Sequence, residues 1–321
     1  MQGRGLKLMG KYVLKRFLYL LPTLLGILTI IFFVMRLIPG DPVLIMLGPE
    51  ATPEAIAKLR HELGYDRPII MQYLIYLANV LHFNYGTSIA TGRPVWNEIL
   101  AVFPFTFTLA LAAVFFGVLL GIPLGIIAAT RRGTWVDVVT SLAALFGISM
   151  PNFWLGLLLI LIFSLRLEWF PAIGAGEPYV ITDLVKHLIL PAVTLGLPMV
   201  AIVARIMRSS MLETLGENYI RTARGKGLPE RVVIYTHALR NALLPTVTVV
   251  GLNMGWMLGG SVIVEKLFAR PGVGSLLVDS IIGRDYPVVQ GGVIFFAFLF
   301  MVNNLLVDIL YAWLDPRIRL E

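Results

Sequence analysis

The chain has 321 residues, 58% of them hydrophobic and only 14% charged, with a mean hydropathy of +0.83 and a formal charge of +7. That composition excludes a soluble globular domain of this length, and the absence of cysteine excludes disulfides, thiolate metal sites and thiol catalysis. Nucleic acid is excluded as a partner, because the positive residues flank apolar runs instead of forming a stripe with interleaved aromatics.

Crossing a hydrocarbon core takes about 20 apolar residues in a helix, and six segments meet that length. The first, Phe17 to Ile38, follows a basic stretch and has no small-residue cleavage site, so it reads as an uncleaved helix rather than a signal peptide. Residues 39–100 then form an extracytoplasmic segment. It carries a charged helical piece from Pro53 to Leu63 and an amphipathic one from Pro68 to Phe83, ahead of the turn-rich NYGTS and TGRP. The remaining spans, Ala101 to Ala129, Val138 to Leu165, Leu188 to Met207, Leu243 to Val264 and Val288 to Tyr311, form a core domain over 101–321. Residues 1–38 make the N-terminal tail and first helix. Lys and Arg concentrate in alternate connecting segments and Asp and Glu in the others, which places both termini in the cytoplasm. The expected fold class is an all-α membrane protein with six transmembrane helices.

Within the spans, Gly117, Gly121 and Gly125 recur on one helix face and Gly251, Gly255 and Gly259 on another, so backbones are expected to approach closely there. Pro104, Pro123, Pro151, Pro191, Pro198 and Pro245 interrupt or cap the spans and suggest kinks. Polar side chains are few. Asn152, Thr248, Asn253 and Ser261 are the candidates for a translocation path, on polarity and depth alone. Arg36 and Asp308 lie towards helix ends, so no ionisable group is expected at the midplane to drive a proton or sodium carrier, and the energy source is expected on another chain.

The segment from Tyr219 to Pro245, YIRTARGKGLPERVVIYTHALRNALLP, is basic, punctuated by glycine and stranded between spans. The Gly227-Leu228-Pro229 break should bend one helix into a second, short one on the cytoplasmic face. It reads as a docking element within a cytoplasmic loop over 208–242. Catalytic constellations are missing: His61, His82, His187 and His237 show no metal-ligand spacing, and neither a catalytic residue nor a metal site is expected. Gly5, Gly10 and Lys11 imitate a phosphate-binding loop, but Tyr12 replaces the magnesium-binding hydroxyl and no strand precedes it.

The docking segment resembles the cytoplasmic signature of permease subunits of binding-protein-dependent ABC importers, with Ala223, Gly227 and Leu239 matching its general form and RTARGKGL and HALRNALLP matching the dipeptide and oligopeptide branch. Further similarity lies in RLIPGDP at Arg36 to Pro42, ELGYDRPIIMQY at Glu62 to Tyr73, YGTS at Tyr85 to Ser88, SMPNFWLGLLL at Ser149 to Leu159, LPAVTLGL at Leu190 to Leu197, ARIMRSSMLE at Ala204 to Glu213, PGVGSLL at Pro271 to Leu277, GRDYP at Gly283 to Pro287 and LDPRIR at Leu314 to Arg319. The resemblance implies a type I importer permease fold in the inner membrane and a non-catalytic subunit, with ATP and magnesium held by partners. Those partners would be a second homologous permease, two ATP-binding subunits, an extracytoplasmic substrate-binding protein and membrane lipid. By position, Thr222, Ala223, Gly227, Leu228, Pro229, Glu230 and Arg231 would form the ATPase-coupling element. Gly227 would sit at its bend, Leu228 and Pro229 at its tip, Glu230 and Arg231 as polar anchors, and Ala223 packed against a neighbouring helix. Similar permeases carry dipeptides, oligopeptides, glutathione or nickel; the expected cargo is a dipeptide or oligopeptide, the same architecture importing nickel or glutathione is the alternative, and a secondary carrier or channel is the alternative of a different class.

Overall fold

The computed structural model describes residues 2–37, 42–48, 51–62 and 64–314. The described residues are helical apart from connections and one isolated bridge between Thr87 and Pro94. In chain order the helices are α1 (Gln2–Leu37), α2 (Pro42–Leu47), α3 (Pro53–Glu62), α4 (Ile69–Leu81), α5 (Val95–Thr130), α6 (Trp135–Ser149) and α7 (Asn152–Leu159), which widens into a π-helical stretch, Ile160–Arg166. They continue with α8 (Ile181–Leu215), α9 (Asn218–Gly225) and α10 (Glu230–Val232), which passes through a second π-helical stretch, Val233–Ala238, into α11 (Leu239–Leu267), succeeded by α12 (Val273–Ile282) and α13 (Tyr286–Leu314). Residues 38–41 of the RLIPGDP motif, Leu63, and the tail from Asp315 with most of LDPRIR lie outside the described residues.

Among the described residues, four stretches are long and apolar enough to cross a membrane: α5, α8, α10 with α11, and α13; the α6–α7 pair makes a fifth when its two bent arms are counted as one span. The apolar part of α1 is the shorter stretch Leu21–Leu37. The expected third span, Val138 to Leu165, is not one straight helix. It breaks at Met150 and Pro151 and turns through 105°. The reason is local: Met150 is extended, as a residue before proline prefers, and the Pro151 ring has no amide to continue the ladder. Proline alone does not force such a break, since Pro104 and Pro123 lie inside α5, Pro191 and Pro198 inside α8, and Pro245 inside α11.

In lipid there is little hydrophobic drive to bring helices together, so small residues that admit a neighbour's backbone matter most. The most extensive pair is α5 with α8. Gly117, Gly121 and Gly125 are buried there, one turn apart, and face Met199, Val203 and Met207 at the same spacing. A β-carbon on the three glycines would come within 2.4, 2.7 and 2.6 Å of those side chains, respectively. Gly196 returns the contact, its β-carbon position lying 2.8 Å from the Ala113 carbonyl oxygen. On α11, Gly251 faces Val307 and Gly255 faces Phe300 and Asn303, so this face packs on α13. Gly259 meets nothing within 4 Å and is exposed, which removes it from the expected packing stripe.

The segment expected outside caps one end of this bundle. Phe32 of α1 is fully buried against the Tyr73 and Tyr76 rings of α4, Thr29 and Tyr73 share a 2.6 Å hydrogen bond, and Arg36 donates to Gln72 Oε1 at 2.9 and 3.2 Å. The YGTS turn is fastened by Ser88, whose hydroxyl donates to Asp285 Oδ2 at 2.6 Å.

Candidate functional site

The docking segment folds as a helix, a tight turn and a second helix. In α9, Ile220 and Ala223 fall on one face and are buried, while Arg221, Thr222 and Arg224 are exposed. The buried face joins a cluster with Met207 and Met211 of α8, Ile126 and Ala129 of α5, and Val233, Ala238 and Ala242 after the turn. The loop is therefore seated on the ends of three spans, with Ala223 buried in the cluster.

The turn has the hydrogen bonds of a Schellman motif. The Gly227 amide donates to the Arg224 carbonyl at 2.9 Å and the Leu228 amide to the Ala223 carbonyl at 3.4 Å, with Gly227 at φ +77° in the left-handed region that favours glycine. Leu228 and Pro229 come next, at the exposed tip. Arg224 then reaches over the turn to Glu230 in a two-pronged pair, Nη2 to Oε1 at 2.7 Å and Nε to Oε2 at 3.1 Å, and this bond raises the Arg224 pKa above its ordinary value. Asn241 Nδ2 donates to the Tyr219 hydroxyl at 2.7 Å, tying α9 to α11.

Two details differ from the sequence-based expectation. The short helix precedes the Gly-Leu-Pro break, because α8 already ends at Gly216, and the helix after the break runs on into α11. Glu230 closes the turn onto Arg224, whereas Arg231 is exposed with no ion pair among the described residues.

A second tie holds the turn between α5 and α6. Arg208 of α8 donates through Nε and Nη2 to both oxygens of Asp137, at 2.6 and 2.8 Å, and Gly133 N donates to Asp137 Oδ2 at 3.1 Å.

The path candidates are scattered. Asn152 opens α7 directly after the break, half-buried. Thr248 and Asn253, half-buried on α11, donate to the carbonyls of Leu244 and Val249 one turn back. Ser261 is fully buried and donates to Leu258, so it meets protein and no open surface.

The end of the bundle opposite the docking segment holds polar groups that the sequence did not single out. Glu265 is fully buried, accepting from Thr106 Oγ1 at 2.7 Å and from the Ser275 amide at 2.9 Å, while Thr106 in turn accepts from the Val273 amide. Arg270 is buried nearby, its guanidinium 5.7 Å from the Phe105 ring centroid, and its Nε and Nη1 have no hydrogen-bond partner among the described residues. Burial lowers the Arg270 pKa, and the Glu265 charge partly offsets this. The one available signal was PGVGSLL, whose glycines close over Glu265. On the same side, a cavity of about 400 Å³ lies between α1, α4 and α13, with Arg36, Gln72, Tyr76, Asn84 and Gln290 in its wall. No group of three or more metal-ligating side chains occurs among the described residues.

Comparison with known proteins covers nearly the whole chain. Residues 121–320 match the family "Binding-protein-dependent transport system inner membrane component", and residues 9–110 match its N-terminal companion. The glutathione transport system permease protein GsiC of Salmonella typhi is 46% identical over 311 residues, covering 97% of this chain and 99% of that protein. The di/tripeptide transport system permease protein DppB of Pseudomonas aeruginosa is 43% identical, with the same coverages. Among solved structures, an inward-facing MetNI methionine ABC transporter chain superposes with a TM-score of 0.56 at 18% identity, over 68% of this chain and 96% of that one.

Proposed function

This chain belongs to the family of binding-protein-dependent transport system inner membrane components, an ABC importer permease subunit of the inner membrane, and from that premise we propose how it works and what it carries. It has six membrane helices with both termini in the cytoplasm, and α1 supplies the sixth span. It pairs with a second permease to enclose the path. Residues 1–38 form the tail and first helix, 39–100 the extracytoplasmic cap that meets a loaded binding protein, and 101–321 the core. ATP and magnesium are bound by two cytoplasmic ATPases.

The observation that carries this reading is the built turn between α9 and α10. Its inner face is anchored on α5, α8 and α11 through Ile220 and Ala223, and the Arg224 to Glu230 pair fixes its shape. Thr222, Gly227, Leu228, Pro229 and Arg231 are left exposed. A rigid knob seated on three span ends transmits a push from a moving partner, which a flexible loop would absorb. Closure of the ATPases would drive this knob and rock the α5–α8 and α11–α13 pairs, which are close-packed through their glycines. Thr248 and Asn253 remain the candidates for the path, with Asn152 at the elbow of the third span, while Ser261 would need a different conformation to reach it.

For cargo we favour a short peptide, glutathione among them, because the similar permeases are named for glutathione and for di/tripeptides. A nickel importer of the same architecture is the alternative. The test is uptake and ATP hydrolysis by the reconstituted four-chain complex with its binding protein. Gly227→Arg, or charged residues in place of Leu228 and Pro229, should leave insertion and assembly intact while hydrolysis no longer drives uptake. Normal uptake by these variants would sink the coupling assignment. Transport by this chain alone, without ATP, would establish a carrier instead.

A further inference from the structure

On the same side as the docking knob, a groove of about 310 Å³ opens between α5, α6 and α8. Its walls are mainly apolar, with Leu124 and Ala128 on one side and Leu145 and Ile148 on the other, Thr140 and Ser141 add two hydroxyls, and its rim carries Arg205 and Arg208. The two arginines differ. Arg208 is committed to Asp137, whereas Arg205 is exposed and forms neither ion pair nor hydrogen bond with any described residue. More positive charge stands beside the rim, because the turn bearing the exposed Arg131 and Arg132 is fastened there through Gly133 and Asp137.

The outward side of the groove narrows the occupant. Val139, Leu142 and Phe146 of α6 are exposed by 53%, 60% and 63%, a surface made for hydrocarbon. Trp135 at the start of α6 is 76% exposed, and aromatic residues of this kind favour the headgroup level. An apolar slot that opens on such a face and ends at an unneutralised arginine matches a molecule with an acyl chain and an anionic head. A free anion would gain nothing from the apolar walls.

We propose that the groove between α5, α6 and α8 is a binding site for one anionic phospholipid, with its phosphate on Arg205 and an acyl chain along Leu124, Leu145 and Ile148. The inference requires only that the chain is embedded in a membrane and is independent of cargo. A lipid wedged between α6 and α8 would set how far the inner half of the third span can swing.

The test is native mass spectrometry of the detergent-purified chain, alone and within its complex, titrated with phosphatidylglycerol or with phosphatidylcholine. Phosphatidylglycerol should be retained preferentially in both preparations. Arg205→Ala should reduce that preference about fivefold, the worth of one basic residue at an anionic surface. Arg205→Lys should keep most of it, and Ala144→Trp, which fills the groove, should lower retention of both lipids. Equal retention of the two lipids by the unaltered chain, or an unchanged preference in Arg205→Ala, would overturn the site. So would displacement of phosphatidylglycerol by inorganic phosphate. Loss of the preference on assembly would show that the second permease occupies the groove, and would overturn it as well.

Discussion

Gly272 lies so close to Glu265 that a β-carbon on it would fall 2.2 Å from the Glu265 carboxyl carbon and 2.3 to 2.5 Å from its oxygens. The backbone of Gly272 is extended, a conformation open to any residue, so only this contact requires glycine. Gly272→Ala should therefore displace the carboxylate from Thr106 and Ser275, at a cost of about 1 to 3 kcal/mol for overpacking a filled site. Thermal unfolding of the purified chain would measure it. Glu265→Gln should cost a similar ~1 to 3 kcal/mol, because the amide places a donor where the Ser275 N–H or the Thr106 hydroxyl needs an acceptor.

The glycine stripes make a paired prediction. Gly121→Leu places a large side chain against Val203 and the Val200 carbonyl oxygen and should destabilise the chain by about 1 to 3 kcal/mol, or trap one conformation of the importer. Gly259→Ala, on the same spacing in α11, meets open space and should be neutral or stabilising by up to about 1 kcal/mol from helix propensity. Similar melting temperatures for the two variants would mean that close packing does not govern the α5–α8 contact.

Much of this could be read from residue order. The spans, the cap and the docking segment stem from apolar run length and from the placement of Gly and Pro, which are local properties. Gly117, Gly121 and Gly125 announced a close helix contact, but a stripe does not name its partner. Glu265 gave no sign of itself because burial is a property of the folded neighbourhood. At the end of an apolar run it looks like any residue returning to water, and only the fold of residues 270–275 back over it removes that water. The break at Pro151 was equally hidden, since six other prolines in the spans, Pro22 of α1 among them, are absorbed without one.

The pair between Asp137 and Arg208 should behave as a unit. Asp137→Asn should weaken the hold of α6 on α8 and leave Arg208 without its counter-charge, and Arg208→Gln should do the same from the other side. The double variant should be no less stable than the worse single, which a thermal double-variant cycle reads directly. Additive losses would mean that the two residues act separately.

At the turn, Gly227→Ala meets no steric obstacle and is penalised only through φ +77°, so it should cost about 1 kcal/mol of local stability while preserving the knob's outline. Hydrogen exchange of the Leu228 amide, which donates to Ala223, is the local probe. Faster exchange with coupled transport retained is the expected result.

The π-helical stretch Val233–Ala238 sets the phase between the docking knob and the fifth span. A wide turn of this kind accommodates an extra residue without ending the helix, whereas each residue of an α-helix advances the facing direction by about 100°. Removing one residue from 233–238 would let the ordinary winding resume, so that either the knob or α11 must rotate by that angle. Ile220 and Ala223 would then no longer face Val233 and Ala238, and Gly251 would turn away from Val307. Chain length in this one turn is thus a timing element, fixing which face of the span moves when the knob is pushed.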